Sequence, residues 1–167
     1  FAERNKGQFK DHFITFTTKP RLQRVVGNTL LEKMNSIERA EWHGSTNIQG
    51  VFDLILSTAV SNNTPAEQLP ETIYIISDME FDSCCRDHTN FEHIKTKYEV
   101  SGYKLPNIVF WNVDARNGKN LPAQKDESGV ALVSGFSPVI FKIAVENKTP
   151  EQIMEDTINA ERYSKIT

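Results

Sequence analysis

The sequence predicts an α/β fold built on a mostly parallel sheet, a Rossmann-like layered sandwich, and two observations carry that expectation. Short apolar runs rich in β-branched and aromatic residues alternate with amphipathic helical segments along the 167 residues. The runs are also nearly continuous in hydrophobicity, without strict in-out alternation, which is the pattern of strands covered by helices on both faces. The length fits one domain, since a chain of this size buries roughly 70% of its unfolded surface and needs no disulfide or metal merely to fold.

Each element follows from local chemistry. Phe1 to Lys6 reads as the tail of a helix stopped by Gly7. A strand follows at Asp11 to Thr17. Asn28 or Thr29 caps a helix running to about Trp42, with Leu30, Met34 and Ile37 on one face. Ile48, Val51, Phe52, Ile55 and Ala59 then recur at helical spacing and place a second helix over Ile48 to about Ser61. TIYIIS, Thr72 to Ser77, is the next strand. Thr89-Asn90-Phe91-Glu92 opens a third helix that turns Phe91, Ile94 and Tyr98 inward and stops at Gly102. Strands follow at Asn107 to Val113 and Gly129 to Ser134, separated by a polar loop from Ala115 to Ser128. A short helix is expected after Pro138. The last helix opens with Thr149-Pro150-Glu151-Gln152, a capping box with proline at the first helical position, and is expected to bury Ile153, Met154 and Ile158.

Composition excludes several classes. With 38% apolar and 25% charged residues the chain is neither collagenous nor disordered. No stretch approaches the roughly 20 apolar residues of a membrane span, and FAERNKGQFKDHF has no signal-peptide core, so a soluble, cytoplasmic protein is expected. The net charge of −3 offers no broad basic field for nucleic acid. Cys84 and Cys85 are adjacent, close too small a ring for an ordinary disulfide, and have no second pair to build a zinc site.

In an open α/β sheet ligands sit beyond the carboxyl ends of the strands, and two polar segments fall there. One is Gly44-Ser45-Thr46-Asn47, immediately before the second helix; the other is Ser77-Asp78-Met79-Glu80-Phe81-Asp82, immediately after TIYIIS. Hydroxyls and carboxylates in such positions suit magnesium, which takes oxygen ligands and keeps several waters. The same residues also serve as ordinary helix caps and turn formers, so local sequence alone leaves both readings open. Asn112 and Asp114 end the strand at Asn107 and lie at the same end of the sheet. Glu80 and Asp82 are either outer carboxylates that orient metal-bound water or solvated loop acids. Trp42, beside His43, either lines the crevice or forms the terminal core contact of its helix. His12, His43, His88 and His93 lack the mutual spacing of a metal cage.

HGSTNIQGVFDLIL and TIYIISDMEFD together resemble the second and third metal-site loops of a von Willebrand factor A-like (vWA) domain. TNFEHIKTKYEVSGYKLPNIVFWNV and GVALVSGFSPVIFK are similar to the vWA part of an uncharacterised family related in architecture to the TROVE/Ro RNA-binding ring proteins. The likeness covers essentially the whole chain. It implies a metal-ion-dependent adhesion site holding Mg2+, with Thr46 and Asp78 as ligands and Ser45 as a neighbouring hydroxyl. The family's Asp-x-Ser-x-Ser loop is absent; the nearest run, Asp126-Glu127-Ser128-Gly129-Val130, lacks the final serine and precedes a strand. The resemblance therefore implies a single vWA-like domain over residues 1–167 that lacks the family's first strand and most of its first helix. Losing that central strand leaves two inner strand edges unpaired and favours self-association. One carboxylate plus water makes a weak magnesium site.

Three functions follow as expectations. The first is a non-catalytic binding module in which a protein partner's acidic side chain completes the metal site. The chain carries no Gly-x-Ser-x-Gly elbow, Cys/His pair of identifiable spacing or Gly-rich phosphate loop, so no enzyme is expected. The second is an RNA-associated component of a TROVE/Ro-like particle, by analogy of architecture. The third, a metal-dependent hydrolase using Asp78, Glu80 and Asp82, would need bridging carboxylates from several loops where this sequence clusters them in one.

Overall fold

Two sheets, joined through one apolar core, organise the computed structural model, which describes residues 1–42, 44, 47–77, 88–113, 129–135, 137, 145–146 and 150–161. Strands β1 (His12–Ile14) and β2 (Leu22–Arg24) form an antiparallel hairpin. Strands β3 (Thr72–Ser77), β4 (Asn107–Asn112) and β5 (Val130–Ser134) form a parallel sheet in that order, with Ser77, Asn112 and Ser134 in register at its carboxyl end. The described helices are α1 (Leu30–Glu38), α2 (Ile48–Ser61), α3 (His88–Val100) and α4 (Pro150–Ile158). This is a Rossmann-like α/β architecture, as the alternation of strand and helix patterns predicts.

Strand pleating decides the core. Ile73 and Ile75 of β3, Ile108 and Phe110 of β4, and Val130 and Leu132 of β5 share one face of the sheet. Against that face α2 lays Ile48, Val51, Phe52, Ile55 and Ala59, the very residues whose spacing predicts the helix. α3 adds Phe91, Ile94 and Tyr98. Phe91 sits edge-on to both Phe52 and Phe110, with centroids 6.2 and 6.3 Å apart, the arrangement ring quadrupoles favour. Tyr98 is fully buried and its hydroxyl donates to the Phe52 carbonyl at 2.9 Å, so the one polar atom it carries inward is satisfied. On the other face Val109 and Trp111 are also buried.

Both core helices end in the same way. Asn63 enters the left-handed region at φ 49°, letting Thr64 N–H reach the Ala59 carbonyl and Asn63 N–H reach that of Val60. Gly102, at φ 81°, ends α3 through the equivalent bonds from Tyr103 to Tyr98 and from Gly102 to Glu99. Tyr103 then ties the two ends together, its hydroxyl donating to the Thr64 carbonyl at 2.8 Å.

Several elements differ from expectation, each for a physical reason. β1 covers three residues instead of seven, because its pairing depends on β2, whose sequence Leu22-Gln23-Arg24 is too short and polar to signal a strand. Phe1 to Lys6 contains only a 3-10 turn, Ala2–Arg4, and Gly7 opens a second turn, Gly7–Phe9, that buries Phe9. α1 is capped at Thr29 as predicted, with Glu32 completing a capping box, but ends at Glu38 and buries nothing: Leu30 is 75% and Met34 58% exposed. α4 begins at Pro150, yet Met154 and Ile158 are exposed as well. The helix expected after Pro138 and the loop expected over Ala115 to Ser128 lie outside the described residues. Among the described residues no strand lies between the β1–β2 hairpin and β3, so the two sheets remain separate.

Candidate functional site

The carboxyl end of the parallel sheet is polar because each strand ends on a polar residue. Ser77, Asn112 and Ser134 lie side by side where the apolar runs stop. The backbone fixes this row: Val113 N–H donates to the Ser77 carbonyl at 3.2 Å and Gly135 N–H to the Asn112 carbonyl at 2.8 Å, so the ladder continues one residue past each strand. Trp111 braces it from below the row, its indole N–H donating to the Gly135 carbonyl at 2.6 Å.

α2 reaches this end with its amino terminus. It connects to β3 through residues 62–71 and packs along the strands it precedes, so its start lies at the end where β3 finishes. Asn47 caps it: the Asn47 side-chain oxygen accepts from Gly50 N–H at 2.8 Å, while its amide nitrogen donates to the Thr18 carbonyl at 3.4 Å. A methyl group at Gly50 would lie 2.8 Å from that amide nitrogen, so the cap requires glycine there. Gly44 also packs on Thr18. At φ +115° it adopts a backbone conformation that disfavours side chains, and a Cβ there would meet the Thr18 N–H and hydroxyl at 3.0 Å. The turn that follows β1 thus holds Gly44 and Asn47, the residues on either side of Ser45 and Thr46.

Of the residues predicted for the site, the structure describes Asn112, at the sheet's carboxyl end as expected. Thr46, Asp78, Ser45, Glu80, Asp82 and Asp114 lie outside the described residues, as do His43 and the two cysteines. Their described neighbours are brought together: Ser77, which precedes Asp78, pairs with Asn112, and Val113, which precedes Asp114, is bonded to Ser77. Trp42 is 56% exposed and its indole donates back to the Ile37 carbonyl at 3.1 Å, so it is not the terminal core contact of its helix. Thr18 is not legible in the sequence, because its place follows from the β1–β2 hairpin and Leu22-Gln23-Arg24 is too short and polar to signal a strand. Among the described residues no group of three His, Cys, Asp or Glu side chains gathers at metal-binding distance.

Burial, and secondarily the Asp53 carboxylate, push the Tyr98 hydroxyl well above the ordinary tyrosine range. Asp53 is held on the outside of α2 by Lys97 at 2.9 Å and by Gln49 at 3.3 Å. These groups clamp α2 to α3 and belong to the scaffold.

The features together define a class: a Rossmann-like α/β module whose parallel strands end, in register, on polar side chains beside a capped helix terminus. The chain belongs to the family described as Domain of unknown function (DUF7788), whose model matches residues 1–166. It is similar to an uncharacterised protein, L728, of Acanthamoeba polyphaga mimivirus, at 36% identity over 143 residues that cover 84% of this chain and 25% of the relative. The chain thus spans about a quarter of that relative's length. No solved structure matches. Among the described residues no helix is long and apolar enough to cross a membrane.

Proposed function

We propose that this chain is a non-catalytic binding module of the vWA type, with a partial metal-ion-dependent adhesion site at the carboxyl end of its parallel sheet. The observation that carries the reading is the in-register row Ser77, Asn112 and Ser134 beside the α2 terminus that follows Gly44-Ser45-Thr46-Asn47. Thr46 and Asp78 would hold the ion, with Ser45 a neighbouring hydroxyl and Glu80, Asp82, Asn112 and Asp114 forming the rim. The donor set fits magnesium: hard oxygen ligands, few protein groups and several retained waters. Asn47 is excluded as a ligand, since its side-chain oxygen caps α2.

Such an ion supplies a Lewis-acidic position that an acidic side chain of a protein partner completes. The protein's own contribution is placement. Gly44 and Asn47 are held against Thr18, and the strand ladder fixes Asn112 between Ser77 and Ser134. Manganese, a paramagnetic stand-in, tests the location directly. The reading expects Mn2+ to broaden the amide signals of Ser77, Val113 and Gly135 and to spare Thr72, Asn107 and Gly129 at the opposite end of the same strands. Uniform broadening, or broadening that survives Asp78→Ala, would contradict it.

A further inference from the structure

The Asn47 side chain makes two bonds that run in different directions. Its Oδ1 accepts from Gly50 N–H at 2.8 Å, which caps α2, and its Nδ2 donates at 3.4 Å to the carbonyl of Thr18, 29 residues back in the chain. The assignment of the two ends is forced, because a backbone N–H only donates and a carbonyl only accepts. Gly50 leaves the room this arrangement needs: a Cβ there would meet Nδ2 at 2.8 Å and Oδ1 at 3.2 Å, so it would crowd the amide more than the capping oxygen. A cap needs only the oxygen, which serine or threonine supplies equally well. The amide is the part of Asn47 that helix capping leaves unexplained.

Thr18 is a firm point of attachment. It follows Thr15 and Thr17, both buried, and the Thr15 hydroxyl accepts from the Gln23 amide at 2.7 Å across the β1–β2 hairpin. Ile14 and Phe16, which alternate with those threonines along the chain, pack against the core. Gly44 packs on the same residue, since a Cβ at Gly44 would stand 3.0 Å from the Thr18 nitrogen and hydroxyl. Gly44 and Asn47 thus pin both ends of a short span whose Cα atoms extend at most about 11 Å.

We propose that the Asn47 amide is a positioning group for the ion loop: through the Thr18 carbonyl it fixes the span that carries Ser45 and Thr46, and so raises the affinity of the site for its ion. The inference rests on the ion site proposed at the carboxyl end of the sheet. It gives Asn47 a part in binding that is separable from its part in stability. Asn47 touches no ion and acts through Thr46. Holding the loop before the ion arrives removes part of the ordering cost from binding.

Electron paramagnetic resonance of free Mn2+, which counts the unbound ion, tests this together with thermal unfolding of the same samples. Asn47→Ser keeps a capping oxygen and is too short to reach Thr18. It is expected to hold the parent Tm while weakening Mn2+ binding about threefold or more, the scale of one hydrogen bond. Asn47→Ala removes both bonds and is expected to lower Tm as well. Gly44→Ala sets a methyl group against Thr18 and is expected to weaken Mn2+ binding at least as much as Asn47→Ser. Parent affinity in Asn47→Ser would overturn the proposal. So would a loss that comes only with a fallen Tm, since a merely structural role moves both together. Asp78→Ala distinguishes the two failures. If the parent binds no Mn2+, or Asp78→Ala binds it equally, the ion site is wrong and the positioning role falls with it. If Asp78→Ala abolishes binding while Asn47→Ser leaves it unchanged, the ion site stands and only the positioning role is lost.

Discussion

Asn47, Thr64 and Tyr98 each carry a separable part of the account. Asn47 both caps α2 and joins it to the Thr18 carbonyl, so Asn47→Ala is expected to cost about 1 kcal/mol in denaturant unfolding. Asn47→Asp, which keeps the capping oxygen, is expected to recover most of that loss. Thr64 is buried, and its hydroxyl has no hydrogen-bond partner among the described residues. Thr64→Val removes an unsatisfied donor at nearly constant shape and is expected to stabilise the chain by roughly 1 kcal/mol, which thermal unfolding would register as a raised Tm. Tyr98 supplies a pH dependence. Its folded pKa is raised above the unfolded value of 10.0, so the folded chain keeps its proton where the unfolded chain ionises. The stability this contributes is fully present below the unfolded value and is lost as pH rises from there through the raised folded value. Alkaline titration of unfolding is expected to show that loss in the parent chain and a shallower slope in Tyr98→Phe. The acid limb has the opposite sign at Glu32, whose carboxylate is held below its ordinary range by the Asn28 and Thr29 N–H groups. The capping box is therefore expected to weaken as pH falls through the depressed Glu32 value.

At the scale of elements, α1 and α2 show how much of the fold is legible in the sequence. Both carry apolar residues at helical spacing and both are capped, α1 at Thr29, one of its two candidates, and α2 at Asn47, the last residue of the polar run before it. Only α2 is buried. Periodicity reports that a helix has an apolar face, and what covers that face depends on distant chain. Phe52→Ala, which empties the junction of Phe91 and the sheet, is expected to cost about 3–5 kcal/mol, whereas Met34→Ala is expected to stay within about 0.5 kcal/mol. The parallel strands were legible for the same reason as α2: TIYIIS, NIVFWN and VALVS are long, apolar and bounded by turn residues. β2 was not, because three residues ending in arginine acquire strand character only from pairing with β1. The site divides along the same line. Asn112 could be placed from its strand, and the α2 terminus from its periodicity, but the Thr18 contacts that hold Gly44 and Asn47 depend on a hairpin that local sequence does not announce.

The whole molecule joins a small hairpin to a parallel sheet through a core formed by α2, α3 and one sheet face. Its polar carboxyl end is where recognition is expected. Among the described residues that end presents the hydroxyl and amide side chains of Ser77, Asn112 and Ser134. The ion site proposed at the carboxyl end stands or falls on Thr46 and Asp78. Calorimetric titration of Mg2+ and Mn2+ into the chain beside Asp78→Ala and Thr46→Ala decides it. Weak, saturable binding that Asp78→Ala removes and Thr46→Ala weakens is expected; no heat in the parent chain, or equal binding in all three proteins, would rule the site out.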